Sequence, residues 1–376
     1  MRFIILSALS ALSLQGLAQK YYLFIGTYTG KGSKGIYVYR FDAATGKAEW
    51  VSNTDSVSNP SFLALSANGK YLYAVNENGG SEPGEVSAFS FDKAHGRLKL
   101  LNRQPSGGDH PCYITVTRNN KWVVAGNYTG GNLSIFPVEA SGRLKPYAQL
   151  VQHSGSGPNP DRQEKAHVHA TVLSPSEDRL LVPDLGMDKV VVYPFRPASG
   201  KPLDTLRRSS AVSKPGSGPR HLAFHPNGRF AYLMEEMSGT VAVYRYRQGK
   251  LEFVQRISSH PADFKGNMGS ADIHLSPDGK FLYASNRGDA NNIAIFSVNS
   301  STGRLAGKGW QSTQGKTPRN FMIDPTGNYL LVANQQTNTV VIFKRNPATG
   351  LLRDTGHRIE VPNPVCLVMG GEAFSR

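Results

Sequence analysis

Six stretches of this chain repeat one pattern at intervals of roughly fifty residues, and this repetition limits the possible folds more than any other feature. The copies begin at Asn59, His110, His169, Gly218, Asp272 and Pro318. Each reads as a short strand of alternating apolar residues, a turn such as Asn-Gly, Asp-Gly or Thr-Gly, a second strand, a loop, and a third strand ending near an aromatic. A variable tract containing Thr-Gly-Arg-Leu, His-Gly-Arg-Leu or Ser-Gly-Arg-Leu then leads to a fourth strand. Short alternating strands with Gly-rich turns at this period describe the four-stranded antiparallel blades of a β-propeller. Neither the Trp-Asp dipeptide nor kelch-type glycine doublets recur, so the blades are of another type.

The two ends supply a further blade between them. The stretch from Tyr21 to Val51 has second, third and fourth strands but no first, and "NPVCLVMGG" from Asn363 is a first strand with nothing after it. Joining them gives an all-β, seven-bladed propeller over residues 19–376, closed so that no sheet edge is left at the seam. Residues 1–18 read as a signal peptide: one Arg, an apolar run rich in Ser and Ala, then Gly16-Leu17-Ala18 before a cut at Gln19. Export to the periplasm or medium is the expected localisation, with no membrane span. Cys112 and Cys366 match no metal spacing and read as small buried apolar residues. The formal charge of +15 favours anionic partners. Its Lys and Arg are scattered without a basic-aromatic module, which argues against nucleic acid.

In such a blade, the start of the innermost strand and the end of the second lie on the same rim. The first set is His110, His169, Arg220, His221, Asp272 and Arg319; the second includes Asn76, Glu77, Asn127, Asp184, Glu235, Glu236, Asn286, Arg287 and Asn334. These residues converge on one polar funnel, while the opposite rim carries generic turns. The recurring asparagines read as structural, and Asp272 with His274 as a tie between blades or a ligand contact. His167 replaces His169 on the rim if the register slips. Arg220, Arg287 and Arg319 break the repeat's habits, and three guanidiniums around one funnel call for an anion.

At "HATVLSP", "GPRHLAFHPNG", "ADIHLSPDGKFLYASNR" and "TPRNFMIDPTGNYL" the chain resembles the propeller-type lactonases. That family includes bacterial 6-phosphogluconolactonases and the fungal carboxymuconate cycloisomerising enzyme. The resemblance covers nearly the whole of residues 19–376 and implies a site of one histidine, two arginines and one glutamate. By motif these are His169, Arg220, Arg287 and Glu236. The family's Asn-Glu is Glu235-Glu236 here, which is expected to raise one carboxyl pKa, and the leader sequence is a second departure.

The resulting expectation is hydrolysis of an anionic sugar lactone to its acid. Glu236 activates water and His169 protonates the leaving ring oxygen, or the two exchange roles. Arg220 and Arg287 hold the oxyanion or the substrate's anionic group. Arg319, His221, Glu235, Asp272 and Glu77 complete the substrate contacts. No cofactor or metal is called for, although Glu77 or Asp184 would suit a cation of the kind some unrelated lactonase propellers use. The alternatives are muconate-type cycloisomerisation and a non-catalytic ligand-binding propeller.

Overall fold

The computed structural model describes residues 19–373 except 31, 55 and 56, with backbone alone at 371–373; the leader therefore lies outside the described residues. All regular structure among them is strand, arranged as seven four-stranded antiparallel sheets. The sheet at the seam runs Pro364–Ala373, Lys20–Thr27, Tyr37–Asp42, Lys47–Asn53 from the inside outward. Its register pairs Leu23 with Met369 and Ile25 with Leu367, so the C-terminal strand is the missing innermost strand of the N-terminal blade.

Second strands such as Phe230–Glu235 and Phe281–Asn286 are buried at every position, because a neighbouring blade covers each face. Seven apolar clusters fill the seven interfaces between blades. One joins Tyr232 and Met234 to Leu282 and Ala284; another closes the ring by packing Leu23 and Ile25 against Leu331 and Ala333.

The variable tract's glycine has a defined place in this packing. Gly46, Gly142, Gly303 and Gly350 adopt φ values of +74°, +83°, +77° and +76°. A Cβ on each would lie within 2.5 Å of an aromatic ring at the start of the preceding blade's second strand: Tyr329, Tyr71, Phe230 and Phe281 respectively. Glycine alone meets both the left-handed conformation and the close approach.

One innermost strand is cut short. Pro183 has no N–H to give to the ladder, and the strand beside it is reduced to Val172–Leu173, with an isolated bridge from Val168 to Asp184. His167 and His169 occupy this irregular stretch.

Candidate active site

Antiparallel strand direction brings the inner-strand starts and second-strand ends to one mouth of the channel, where they enclose a funnel of about 810 Å³. Glu77, His169, Glu236, Arg287 and Arg319 line it, each from a different blade.

Glu236 is the electrostatic centre. Its Oε2 accepts a hydrogen bond from Arg220 Nε at 3.0 Å and lies 3.1 Å from Arg287 Nη2, while Oε1 accepts from Arg162 Nη2 at 2.7 Å. Burial opposes its charge, but Arg287, Arg220, His169 and Arg162 outweigh burial and hold the carboxyl well below the usual range. The expected rise in a carboxyl pKa is therefore reversed at Glu236. Glu235 points to the opposite face of the sheet, as strand alternation requires. There it is fully buried and takes a bidentate pair from Arg256 at 2.7 and 2.9 Å, so it does not face substrate.

His169 is buried, with Nε2 3.7 Å from Glu236 Oε2 and Nδ1 3.7 Å from Cys112 Sγ. The gap to Glu236 is too long for a hydrogen bond, and among the described residues Nε2 has no hydrogen-bond partner. Burial, reinforced by Arg220 and only partly opposed by Glu236, holds the imidazole well below its ordinary pKa. His169 is therefore neutral at pH 7. His167 lies aside, stacked on Tyr128 at 4.5 Å and 3.1 Å from Glu164 Oε2.

Two guanidiniums face the funnel with capacity to spare. Arg287 donates from Nε to Gly269 O at 2.8 Å. Burial, opposed by Glu236 and aided by Arg220 and Arg319, lowers its pKa to about 10, which leaves it cationic. Arg319 lies 5.6 Å over the Tyr28 ring and 3.8 Å from Glu77 Oε1, yet makes no hydrogen bond among the described residues. Glu77 in turn accepts from Tyr28 Oη at 2.8 Å and from Ser61.

Arg220, His221 and Asp272 sit deeper than the sequence analysis placed them. Arg220 is 2% exposed and forms no part of the funnel wall; its Nη1 donates to Ala271 O at 2.6 Å. His221 Nδ1 meets Asp272 Oδ1 at 2.7 Å, and Asp272 Oδ2 accepts from Asn320 at 2.5 Å and contacts His274 Nε2 at 2.9 Å. Burial first, then Arg220, lowers His221 to about 4. These groups tie the fifth, sixth and seventh blades around the channel and support Glu236 from behind. Asp184 is likewise committed: fully buried, it accepts from the His167 and Met187 amides and meets His153 Nδ1 at 2.7 Å. The recurring asparagines tie linkers to strands, as in Asn286 Nδ2 to Ser259 O at 2.9 Å and Asn334 Nδ2 to Thr313 O at 2.9 Å.

A family model described as a seven-bladed β-propeller lactonase matches residues 22–369. The chain belongs to this lactonase family. It is 40% identical to a 6-phosphogluconolactonase of Formosa agariphila, covering 92% of this chain and 99% of that protein. A 6-phosphogluconolactonase of Bacillus subtilis is 36% identical over 93% of this chain and 98% of its own length. Among solved structures, the periplasmic gluconolactonase of Pseudomonas aeruginosa superposes with a TM-score of 0.89 at 37% identity, covering 94% of this chain and 99% of that one.

Among the funnel residues of this lactonase that escaped the sequence reading, two touch Glu236 or His169. Arg162 lies in the long connection before the shortened strand, outside the repeat, and Tyr128 follows the third blade's Trp122–Asn127 strand. Tyr128 Oη accepts from Arg162 Nη2 at 3.2 Å, and its ring meets His169 edge-on at 5.3 Å. The one available signal was length: the connection from His153 to Thr171 exceeds the corresponding segments elsewhere.

Proposed function

We propose that the protein hydrolyses an anionic sugar lactone to its open-chain acid. The observation that carries this reading is a neutral, buried imidazole with an unused Nε2 facing a funnel that also presents the guanidiniums of Arg162, Arg287 and Arg319. A water held between His169 Nε2 and the bound lactone loses a proton to Nε2 as its oxygen attacks the carbonyl carbon. The tetrahedral oxyanion forms against Arg287, and Arg319 binds the substrate's anionic group. Collapse breaks the bond from the acyl carbon to the ring oxygen, and the imidazolium returns its proton to that oxygen. His169 thus acts as base and then acid. Glu236, saturated by arginines and held strongly acidic, is a weak base and instead fixes the guanidiniums. This reading keeps only half of the exchanged assignment: His169 activates the water, but His169 and not Glu236 protonates the leaving oxygen.

Relatives named for 6-phosphogluconolactone and gluconolactone support the substrate class. The test is a panel of phosphorylated and neutral sugar lactones with purified protein, including a muconate-type dicarboxylate. His169→Ala is expected to lose most of the turnover. A parent inactive on every lactone, or an unaffected His169→Ala, overturns the reading. We also propose export with a cut before Gln19, supported by the periplasmic relative. N-terminal sequencing of protein from its native host checks this, and an intact Met1 on cytosolic material rejects it.

A further inference from the structure

The site holds an arginine that the repeat does not supply. Arg162 reaches in from the connection between the third and fourth blades and bridges Tyr128 Oη at 3.2 Å to Glu236 Oε1 at 2.7 Å. Its side chain is 45% exposed, whereas those of Arg220 and Arg287, the other partners of Glu236, are 2% and 16% exposed. A guanidinium this open to water is the least costly of the three to move, because its donors can be rehydrated as they leave the carboxylate.

Its backbone, in contrast, is anchored. Asn159 Oδ1 accepts from the amides of Asp161 and Arg162 at 3.0 and 3.1 Å. Gln163 is fully buried, with Nε2 donating to Leu185 O at 2.8 Å. The connection therefore presents one swinging side chain from a fixed base, at the mouth of a funnel whose opposite wall carries Arg319.

Building on the hydrolysis proposed above, we infer that Arg162 is a specificity-determining latch that reads the substrate's anionic group. In this structure it caps Glu236 Oε1. A phosphate or carboxylate entering the mouth offers a competing anion in less buried surroundings. Arg162 then exchanges Glu236 for the ligand, and Oε1 becomes free to accept from the attacking water or a sugar hydroxyl. A neutral lactone offers no such competitor and leaves the cap in place. The chemical class favoured is thus a sugar lactone with a phosphate or carboxylate at the end remote from the acyl carbon.

The test compares 6-phosphogluconolactone with gluconolactone, and separately the binding of 6-phosphogluconate with that of gluconate by calorimetry. Parent, Arg162→Ala and Arg162→Lys are measured alike. Loss of one charged hydrogen-bond partner is expected to cut the parent's phosphorylated-over-neutral kcat/KM ratio by about 10–100-fold in Arg162→Ala. The KM for the phosphorylated lactone rises, the rate on the neutral lactone increases as the cap is lost, and added ethylguanidinium partly restores the preference. Arg162→Lys falls in between, since a point charge keeps attraction but not the paired geometry. Equal losses on both lactones, or a parent without preference in turnover and binding, would overturn the latch. If the parent opens no lactone yet binds 6-phosphogluconate preferentially through Arg162, hydrolysis fails and the latch stands.

Discussion

Around the carboxylate of Glu236, burial divides the arginines into two kinds. Arg220 is spent on Glu236 and Ala271 behind the wall, whereas Arg319 faces the funnel without a hydrogen bond. Arg220→Ala should therefore unfold more readily than the parent, because removing one member of a buried pair costs about 3–5 kcal/mol; a drop in Tm by calorimetry checks this. Arg319→Ala should keep the parent's Tm and lose about 10²–10³ in kcat/KM on an anionic lactone. If both variants melt alike, the division is wrong. The pH profile gives an independent readout. The free base of His169 exists above its pKa, which burial, Arg220, His221 and Arg319 depress against the pull of Glu236. Hence kcat/KM should stay level as pH falls through about 6.5, where an ordinary histidine titrates, and decline only below it. A midpoint at or above that value would refute a neutral base.

Positions of whole segments depend on contacts that no single strand reveals. The connection carrying Arg162 closes over Gly186, where an added Cβ would sit 1.8 Å from Lys165 O and 3.0 Å from the His167 ring. Gly186→Ala must displace this connection, so it should lower Tm and erode the preference for phosphorylated over neutral lactone as Arg162→Ala does. An unchanged preference would show that the connection does not position Arg162. On the opposite rim, Lys280 is exposed in a generic inner turn, and Lys280→Ala should change neither stability nor rate.

At the scale of the ring, stability rests on closure. The strand Pro364–Ala373 joins a partner more than three hundred residues away and brings Leu367 into the cluster shared by the first and seventh blades. Deleting the residues after Val361 removes that strand and exposes the inner edge of Lys20–Thr27. Aggregation or a large loss of Tm is the expected outcome; a truncated chain that melts like the parent would mean the seam carries no load. The repeat, the blade number and the seam were all legible in the sequence. Each depends on local strand alternation and turn chemistry that recur in six complete copies, so every copy checks the others. Which rim residues face the funnel was legible only in part: Glu77, His169, Glu236, Arg287 and Arg319 line it, whereas Arg220, His221, Glu235 and Asp272 do not. Glu235 and Glu236 are adjacent, and alternation sends one to Arg256 and the other to the funnel. Arg220 and Arg319 occupy matching places at inner-strand starts, yet only the second lines the wall. Arg162 belongs to no repeat, so nothing in the sequence could align it with Glu236. Those assignments, and the acidity of Glu236 with the neutrality of His169, arise from distances between residues of different blades, which exist only once the ring has closed.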